Sequence, residues 1–154
     1  MPELTRIQAV VFLQSCDLFS FCRADEILRI AGIAQERRFR AGEKVYVENG
    51  PADVLYCVVQ GEVALKGSQG ESSVGPLQTF GVREILTGRL RGEAAEARVD
   101  SLMLAIEAED LFDLLSNNIE IVKALFRHML QDREAPLAPL APLAPLATKS
   151  ASSD

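Results

Sequence analysis

The sequence predicts an α+β domain built on a β-barrel or jelly roll, with helices on both sides of a strand-rich middle. Three observations support this class: helical apolar spacing near both ends, short β-branched runs across residues 36–106, and glycines in the turns between those runs. The chain has 154 residues, of which 48% are hydrophobic and 25% charged. A chain of this length can bury one core without a metal or disulfide staple.

The N-terminal part is predicted to be helical. Leu4, Ile7 and Val11 share one helical face, which Val10 and Leu13 widen. We therefore expect a first helix that turns this face toward the core.

Two further elements follow before the strands. Residues 24–31 predict a second helix, because Gly32 is a common residue just past a helix end. Between the two helices, Asp17, Leu18 and Phe19 predict a short turn that carries an apolar plug.

Strands are predicted from alternation and from one continuous apolar run. Val45 and Val47 alternate with polar neighbours, and Val63 and Leu65 share one face. Residues 54–59 read VLYCVV, which indicates a buried strand.

The pattern then alternates over residues 102–106 and returns to helical spacing over residues 109–115. A last helix is predicted from four apolar residues at i, i+3, i+4 and i+7: Val122, Leu125, Phe126 and Met129.

The composition changes after Glu134. Residues 135–147 read APLAPLAPLAPLA, and prolines at this spacing prevent a helix or sheet from continuing and favour polyproline II. We therefore place one domain at residues 1–134 and a linker or disordered tail at residues 135–154. The alternative interpretation of the tail is a docking strip for an aromatic groove, and the spacer interpretation is favoured.

Charge and side-chain chemistry exclude several classes. The formal net charge of −6 argues against a nucleic-acid or anionic-membrane binder, and no apolar run approaches a membrane span. His128 is the only histidine, which argues against zinc sites and histidine triads, so we assign no metal site and no catalytic residue. Cys16, Cys22 and Cys57 lack metal-ligand or CxxC spacing, so we predict reduced thiols and a cytoplasmic protein.

Two segments of the middle resemble the cyclic nucleotide-binding domain family. They are residues 41–50, AGEKVYVENG, and residues 53–63, DVLYCVVQGEV. The resemblance extends from Asp17 to about Gln131. It implies an eight-stranded β jelly-roll barrel flanked by N-terminal helices and a C-terminal helix pair. It also implies a ligand, cAMP, cGMP or another cyclic nucleotide, and no resident cofactor.

In this family a loop followed by a short helix binds the cyclic phosphate and the ribose, and the corresponding cassette here covers residues 80–97. The resemblance places the candidate pocket on eight residues: Phe80, Gly81, Val82, Glu84, Arg91, Gly92, Glu93 and Ala94. Arg91 falls on the phosphate-binding arginine of the pattern.

The cassette departs from the pattern at the positions that would bind ligand. Val82 stands where a glutamate accepts the ribose hydroxyl, and Ala94 stands where a hydroxyl residue is usual. Loss of a charge-assisted ribose contact costs about 1.5–3 kcal/mol. Glu93, two residues beyond Arg91, either pairs with it or repels a phosphate. We therefore predict weak or absent binding of cAMP and cGMP.

Two alternatives would preserve a functional pocket. Glu84 could accept the ribose hydroxyl if the loop is shifted by two residues. Alternatively the pocket could take another small anion, because four arginines cluster in the same stretch: Arg83, Arg89, Arg91 and Arg98.

These observations favour a regulatory, non-enzymatic domain with an altered cyclic nucleotide pocket. The alternative is a structural or interaction module, without ligand, of a larger transporter, channel or signalling protein. The partners predicted for either case are a second copy of the chain or a neighbouring effector domain, and no nucleic acid.

Overall fold

The structure is a computed structural model that describes residues 3–137. Its five α-helices are α1 (Arg6–Ser15), α2 (Ala24–Ala31), α3 (Val82–Thr87), α4 (Ala108–Ser116) and α5 (Ile119–Leu137). Its eight strands are β1 (Ala34–Phe39), β2 (Lys44–Tyr46), β3 (Val54–Gln60), β4 (Val63–Gly67), β5 (Gly70–Val74), β6 (Thr79–Phe80), β7 (Ala94–Ala97) and β8 (Ser101–Glu107). A one-turn 3₁₀ helix, Asp17–Phe19, lies between α1 and α2 and buries Leu18 and Phe19, as the sequence predicted.

The strands form two separate four-stranded antiparallel sheets. The first has the order β1-β8-β3-β6, and the second has the order β2-β7-β4-β5. The expected α+β class is confirmed, but within the described residues the sheets do not join into a closed barrel. The fold is therefore a β-sandwich with helices packed on its first sheet.

The first sheet is buried on both faces, which explains the continuous apolar run in β3. Leu55 and Cys57 of this strand face the helices, where they pack with Leu111 and Ile121. The alternate residues Val54, Tyr56 and Val58 face the second sheet, in a second cluster. Because successive side chains of a strand point to opposite faces, a strand between two cores needs apolar residues at every position.

Helix α1 begins at Arg6, after a capping box that Thr5 and Gln8 form. The predicted apolar face is buried only in part: Leu13 is fully buried and Val10 packs against the core, whereas Ile7 and Val11 are exposed. The core lies on the Leu13 side, since Leu13 packs with the buried residues of the 3₁₀ turn and of α2.

Helices α4 and α5 confirm the predicted C-terminal pair. Within residues 119–131 of α5 the buried residues are Ile121, Ala124 and Leu125, whereas Phe126, predicted to lie in the apolar stripe, is 59% exposed. The helix ends at Leu137 and so continues past the predicted boundary at Glu134; the rest of the Ala-Pro-Leu tail lies outside the described residues. No helix in residues 3–137 has the length and apolar character needed to cross a membrane.

The interpretation of all three cysteines as reduced thiols is wrong for two of them. Cys16, at the end of α1, and Cys57, in β3, form a buried disulfide between residues 41 positions apart. Local spacing gave no sign of this pair because the fold brings the two residues together. Cys22 is the free cysteine, and burial, with a smaller contribution from Glu26, raises the pKa of its thiol to about 11. The cytoplasmic location stays a prediction, and the disulfide weakens its basis.

Candidate functional site

A cavity of about 600 Å³ opens where the second sheet meets the start of α3. This volume falls in the range of small-molecule sites. Its walls come from β2, the β4–β5 hairpin, β6, the first turn of α3, and the segment before β7. The lining residues are Tyr46, Leu65, Gly67, Ser68, Gln69, Val74, Thr79, Phe80, Gly81, Val82, Arg83, Glu84, Gly92 and Glu93.

A left-handed glycine sets the direction of α3. Gly81 precedes the helix with φ of +87°. A Cβ at this position would lie 3.0 Å from Nη1 of Arg91 and 3.3 Å from the carbonyl oxygen of Val54. Only glycine therefore permits both the backbone turn and the close approach of Arg91.

Arg91 is buried beneath the cavity, and only 1% of its surface is exposed. Its Nη1 donates to the carbonyl oxygen of Gly81 at 2.6 Å, and its Nη2 donates to the carbonyl oxygen of Val54. The backbone of Arg91 is fixed as well, because its N–H donates to Gly50 and its carbonyl accepts from Asn49. The guanidinium is thus engaged by the protein itself.

An aromatic ring covers one face of this guanidinium. Cζ of Arg91 lies 4.0 Å from the ring centroid of Tyr46, a cation–π contact. Tyr46 in turn packs near Phe80, with centroids 6.1 Å apart, and Phe80 stacks on Tyr56 at 5.2 Å. Burial raises the pKa of Tyr46 to about 12, against the opposing effect of the Arg91 charge. The phenol is therefore neutral at physiological pH.

Glu84 joins Arg91 to the cavity wall. One carboxylate oxygen, Oε1, accepts from Nη1 of Arg91 at 3.4 Å, and Oε2 accepts from the N–H of Gly92 at 3.4 Å. The Glu84 side chain is 20% exposed. A buried cation next to a mostly buried carboxylate offsets part of the desolvation of both groups.

Six of the eight predicted pocket residues line the cavity, and the other two, Arg91 and Ala94, do not. Of the two outcomes left open for Glu93, no ion pair with Arg91 is present; Glu84 takes that place. Three further residues that line the cavity were not among the predicted pocket residues: Tyr46 and the polar hairpin residues Ser68 and Gln69. The sequence signal for this hairpin is the pair of glycines, Gly67 and Gly70, on either side of Ser68 and Gln69.

The predicted cluster of four arginines does not converge on the cavity. Arg98 pairs with Glu62 and Glu71 at the surface, whereas Arg91 is buried. Arg83 is the one arginine of the four that lines the cavity. The structure therefore gives no support to a multi-arginine anion site.

The two-sheet sandwich, the short helix after a left-handed glycine, and the cavity where the second sheet meets that helix define a β-sandwich domain with a cavity of small-molecule size. The family model of the cyclic nucleotide-binding domain matches residues 36–118, which is more than half of the chain. The chain belongs to the cyclic nucleotide-binding domain family. A search among curated proteins found no match.

Solved structures share the fold at low identity. The N-terminal domain of a transcriptional regulator from Streptomyces coelicolor A3(2) is 24% identical, with a TM-score of 0.70 over 81% of this chain and 94% of that one. A putative cyclic nucleotide-binding protein from Geobacter metallireducens GS-15 is 23% identical, with a TM-score of 0.70 over 84% and 95%.

A third similar structure comes from a larger protein. The regulatory subunit of a cAMP-independent protein kinase A from Trypanosoma brucei is 18% identical, with a TM-score of 0.68 over 77% of this chain. The match spans 44% of that subunit, which is less than half of its length.

Proposed function

We propose that this chain is a regulatory domain whose cavity binds cAMP and cGMP weakly or not at all. The observation that carries the proposal is the state of Arg91, the cation at the family's phosphate position. It does not line the cavity, and its guanidinium is held by two backbone carbonyls, the Tyr46 ring and Glu84. Val82 supplies no ribose acceptor. One of the similar solved structures is the regulatory subunit of a cAMP-independent protein kinase A. The fold is therefore compatible with a regulatory domain that does not respond to cAMP.

A regulatory role needs a path from the cavity to the rest of the chain, and α3 offers one. Val82 and Glu84 of this helix line the cavity, whereas Ile85 packs into the core between the first sheet and the helices. The same core contains Leu111 of α4 and Leu125 of α5. A ligand that shifts α3 would therefore disturb the packing of the C-terminal helices, by as much as its affinities for the two states differ.

Thermal unfolding of the wild-type protein tests the weak-binding part of this proposal. At 1 mM cAMP or cGMP we expect the unfolding midpoint to shift by less than about 1 °C, because binding is weak. For comparison, a Kd near 10 μM would add about 2.7 kcal/mol to the free energy of unfolding and raise the midpoint by several degrees. The same concentration of 5′-AMP serves as the ionic control. A rise of several degrees with cAMP but not with 5′-AMP would contradict weak binding.

A second candidate function, an interaction module, is favoured by an exposed apolar face of α5. Ile119, Phe126 and Leu130 are 64%, 59% and 57% exposed. Their spacing of seven and four residues puts them on one side of the helix, as in a helix that packs on another helix. We propose that a second copy of the chain or a neighbouring effector domain covers this face.

Self-association through this face is expected to weaken about tenfold or more when Phe126 is replaced by serine, since buried aromatic anchors dominate helix-packing interfaces. Sedimentation equilibrium of Phe126→Ser against the neighbouring Arg127→Ser provides a matched comparison. Equal dissociation constants for the two variants would exclude this face as the contact between copies.

A further inference from the structure

Glu84 already occupies the donors that an anionic ligand would use. Its two carboxylate oxygens accept from the Arg91 guanidinium and from the N–H of Gly92, each at 3.4 Å. A guanidinium and a backbone amide that point to the same place form an anion subsite by their chemistry, because both donate to the oxygens of phosphate or carboxylate. In this protein the anion in that subsite comes from the chain itself.

The helix that carries Glu84 holds this carboxylate in place. Helix α3 begins one residue after Gly81, whose carbonyl also accepts from Arg91, and Ile85 anchors the helix in the core. Glu84 therefore reaches the subsite from a backbone that is fixed on both sides. Glu93 lines the same cavity, but no hydrogen bond or ion pair joins it to Arg91 or Gly92.

Arg91 retains capacity for a further acceptor. Its Nε is buried and has no hydrogen-bond partner within the described part of the chain. The two backbone carbonyls satisfy hydrogen bonds but bring no negative charge, so Glu84 supplies the counter-charge of the guanidinium. An incoming phosphate would have to displace this carboxylate or lie beside it. A phosphate beside the Glu84 carboxylate would be repelled, because both groups are negatively charged.

We infer that Glu84 is an internal occupant of an anion subsite formed by Arg91 and Gly92, and that it determines the specificity of the cavity. It excludes ligands with a phosphate at this position and leaves the cavity to ligands without negative charge there. The inference rests on the proposed function, because it gives the reason why a cavity of this family takes cyclic nucleotides poorly.

The test compares the affinity for cAMP of the wild type, Glu84→Ala and Glu84→Gln by isothermal titration calorimetry. We expect Glu84→Ala to lower the Kd about tenfold or more, since it releases a charge-assisted donor pair. Glu84→Gln should give a smaller gain, because it removes the charge and keeps the bulk. It also leaves an acceptor for Arg91, so it decides the matter if Glu84→Ala does not fold, as judged by circular dichroism.

Glu93→Ala is the matched control, because it removes a carboxylate from the same cavity without freeing Arg91. An equal gain for Glu93→Ala would mean that the overall charge of the cavity, not the occupied subsite, governs binding, and would overturn the inference. Loss of cAMP binding in Glu84→Ala would also overturn it, since Glu84 would then be a ligand contact such as the ribose acceptor.

The two proposals fail in different ways in this experiment. Tight binding by the wild type contradicts the proposed function, whatever the variants do. Equally weak binding by the wild type, Glu84→Ala and Glu84→Gln leaves the proposed function standing and removes the role of Glu84. Adding Val82→Glu, which restores a ribose acceptor, should improve affinity more in the Glu84→Ala background than in the wild type.

Discussion

Replacement of Arg91 by alanine is expected to lower the free energy of unfolding by about 3–5 kcal/mol. The change leaves the carbonyls of Gly81 and Val54 without their donor, and removes the cation over the Tyr46 ring. It also opens a cavity, because Arg91 is the largest of the fully buried side chains. Urea denaturation followed by circular dichroism measures the loss.

Arg98→Ala is the control for this prediction. Arg98 pairs with two glutamates, but its side chain is 39% exposed, so its removal should cost no more than about 1 kcal/mol. Arg91→Lys should lie between the two variants, because an ammonium keeps the charge but lacks the planar fork of donors. A cost for Arg91→Ala as small as that for Arg98→Ala would show that the guanidinium does not hold α3 and β3 together.

Loss of the disulfide is the second large effect that we expect. The bond closes a loop between residues 41 positions apart, and the chain-entropy model assigns about 4 kcal/mol to a loop of this length. The double variant Cys16→Ala, Cys57→Ala should therefore unfold at a clearly lower urea concentration than the oxidised wild type. Under reducing conditions the urea concentrations at which the double variant and the wild type unfold should differ much less.

The cysteine count supplies an independent measurement of the same bond. After denaturation without reductant, alkylation and mass spectrometry should find one modified cysteine, Cys22, and after reduction all three. In the native protein Cys22 should react slowly at neutral pH, because burial raises its thiol pKa to about 11 and the thiolate is the reactive form. Three reactive cysteines without reductant would show that the thiols are reduced, as the sequence alone suggested.

Local pattern predicted most of the secondary structure because each element carries its own signal. Helix α2 begins and ends where its apolar spacing and Gly32 indicate, and β3 follows its continuous β-branched run. The same reasoning did not separate the buried part of the α1 stripe, at Leu13, from its exposed part, and it did not show that Phe126 lies on an exposed part of the α5 stripe. An apolar stripe shows that a helix is amphipathic, but which part of a broad stripe is covered depends on the elements that pack on it.

The candidate site was predictable in position but not in arrangement. The spacing of Phe80, Gly81 and Arg91 located the loop and α3, and most of the predicted residues line the cavity. The orientation of Arg91 had no sequence signal, because it depends on carbonyls of Val54 and Gly81 that converge only in the folded chain. The place of Tyr46 beside the guanidinium was hidden for the same reason.

By itself the sequence determined the helical ends and the strand-rich middle, the family, and the identities at each pocket position, since these depend on periodicity, turn residues and motif spacing over short distances. Tertiary structure alone decided that Cys16 meets Cys57, that Arg91 turns into the interior, and that Glu84 is its counter-ion. Each of these features depends on residues from different elements of the fold. Whether two such residues form a hydrogen bond or a disulfide depends on how the sandwich and the helices pack. No local sequence pattern encodes the distance between residues of different elements.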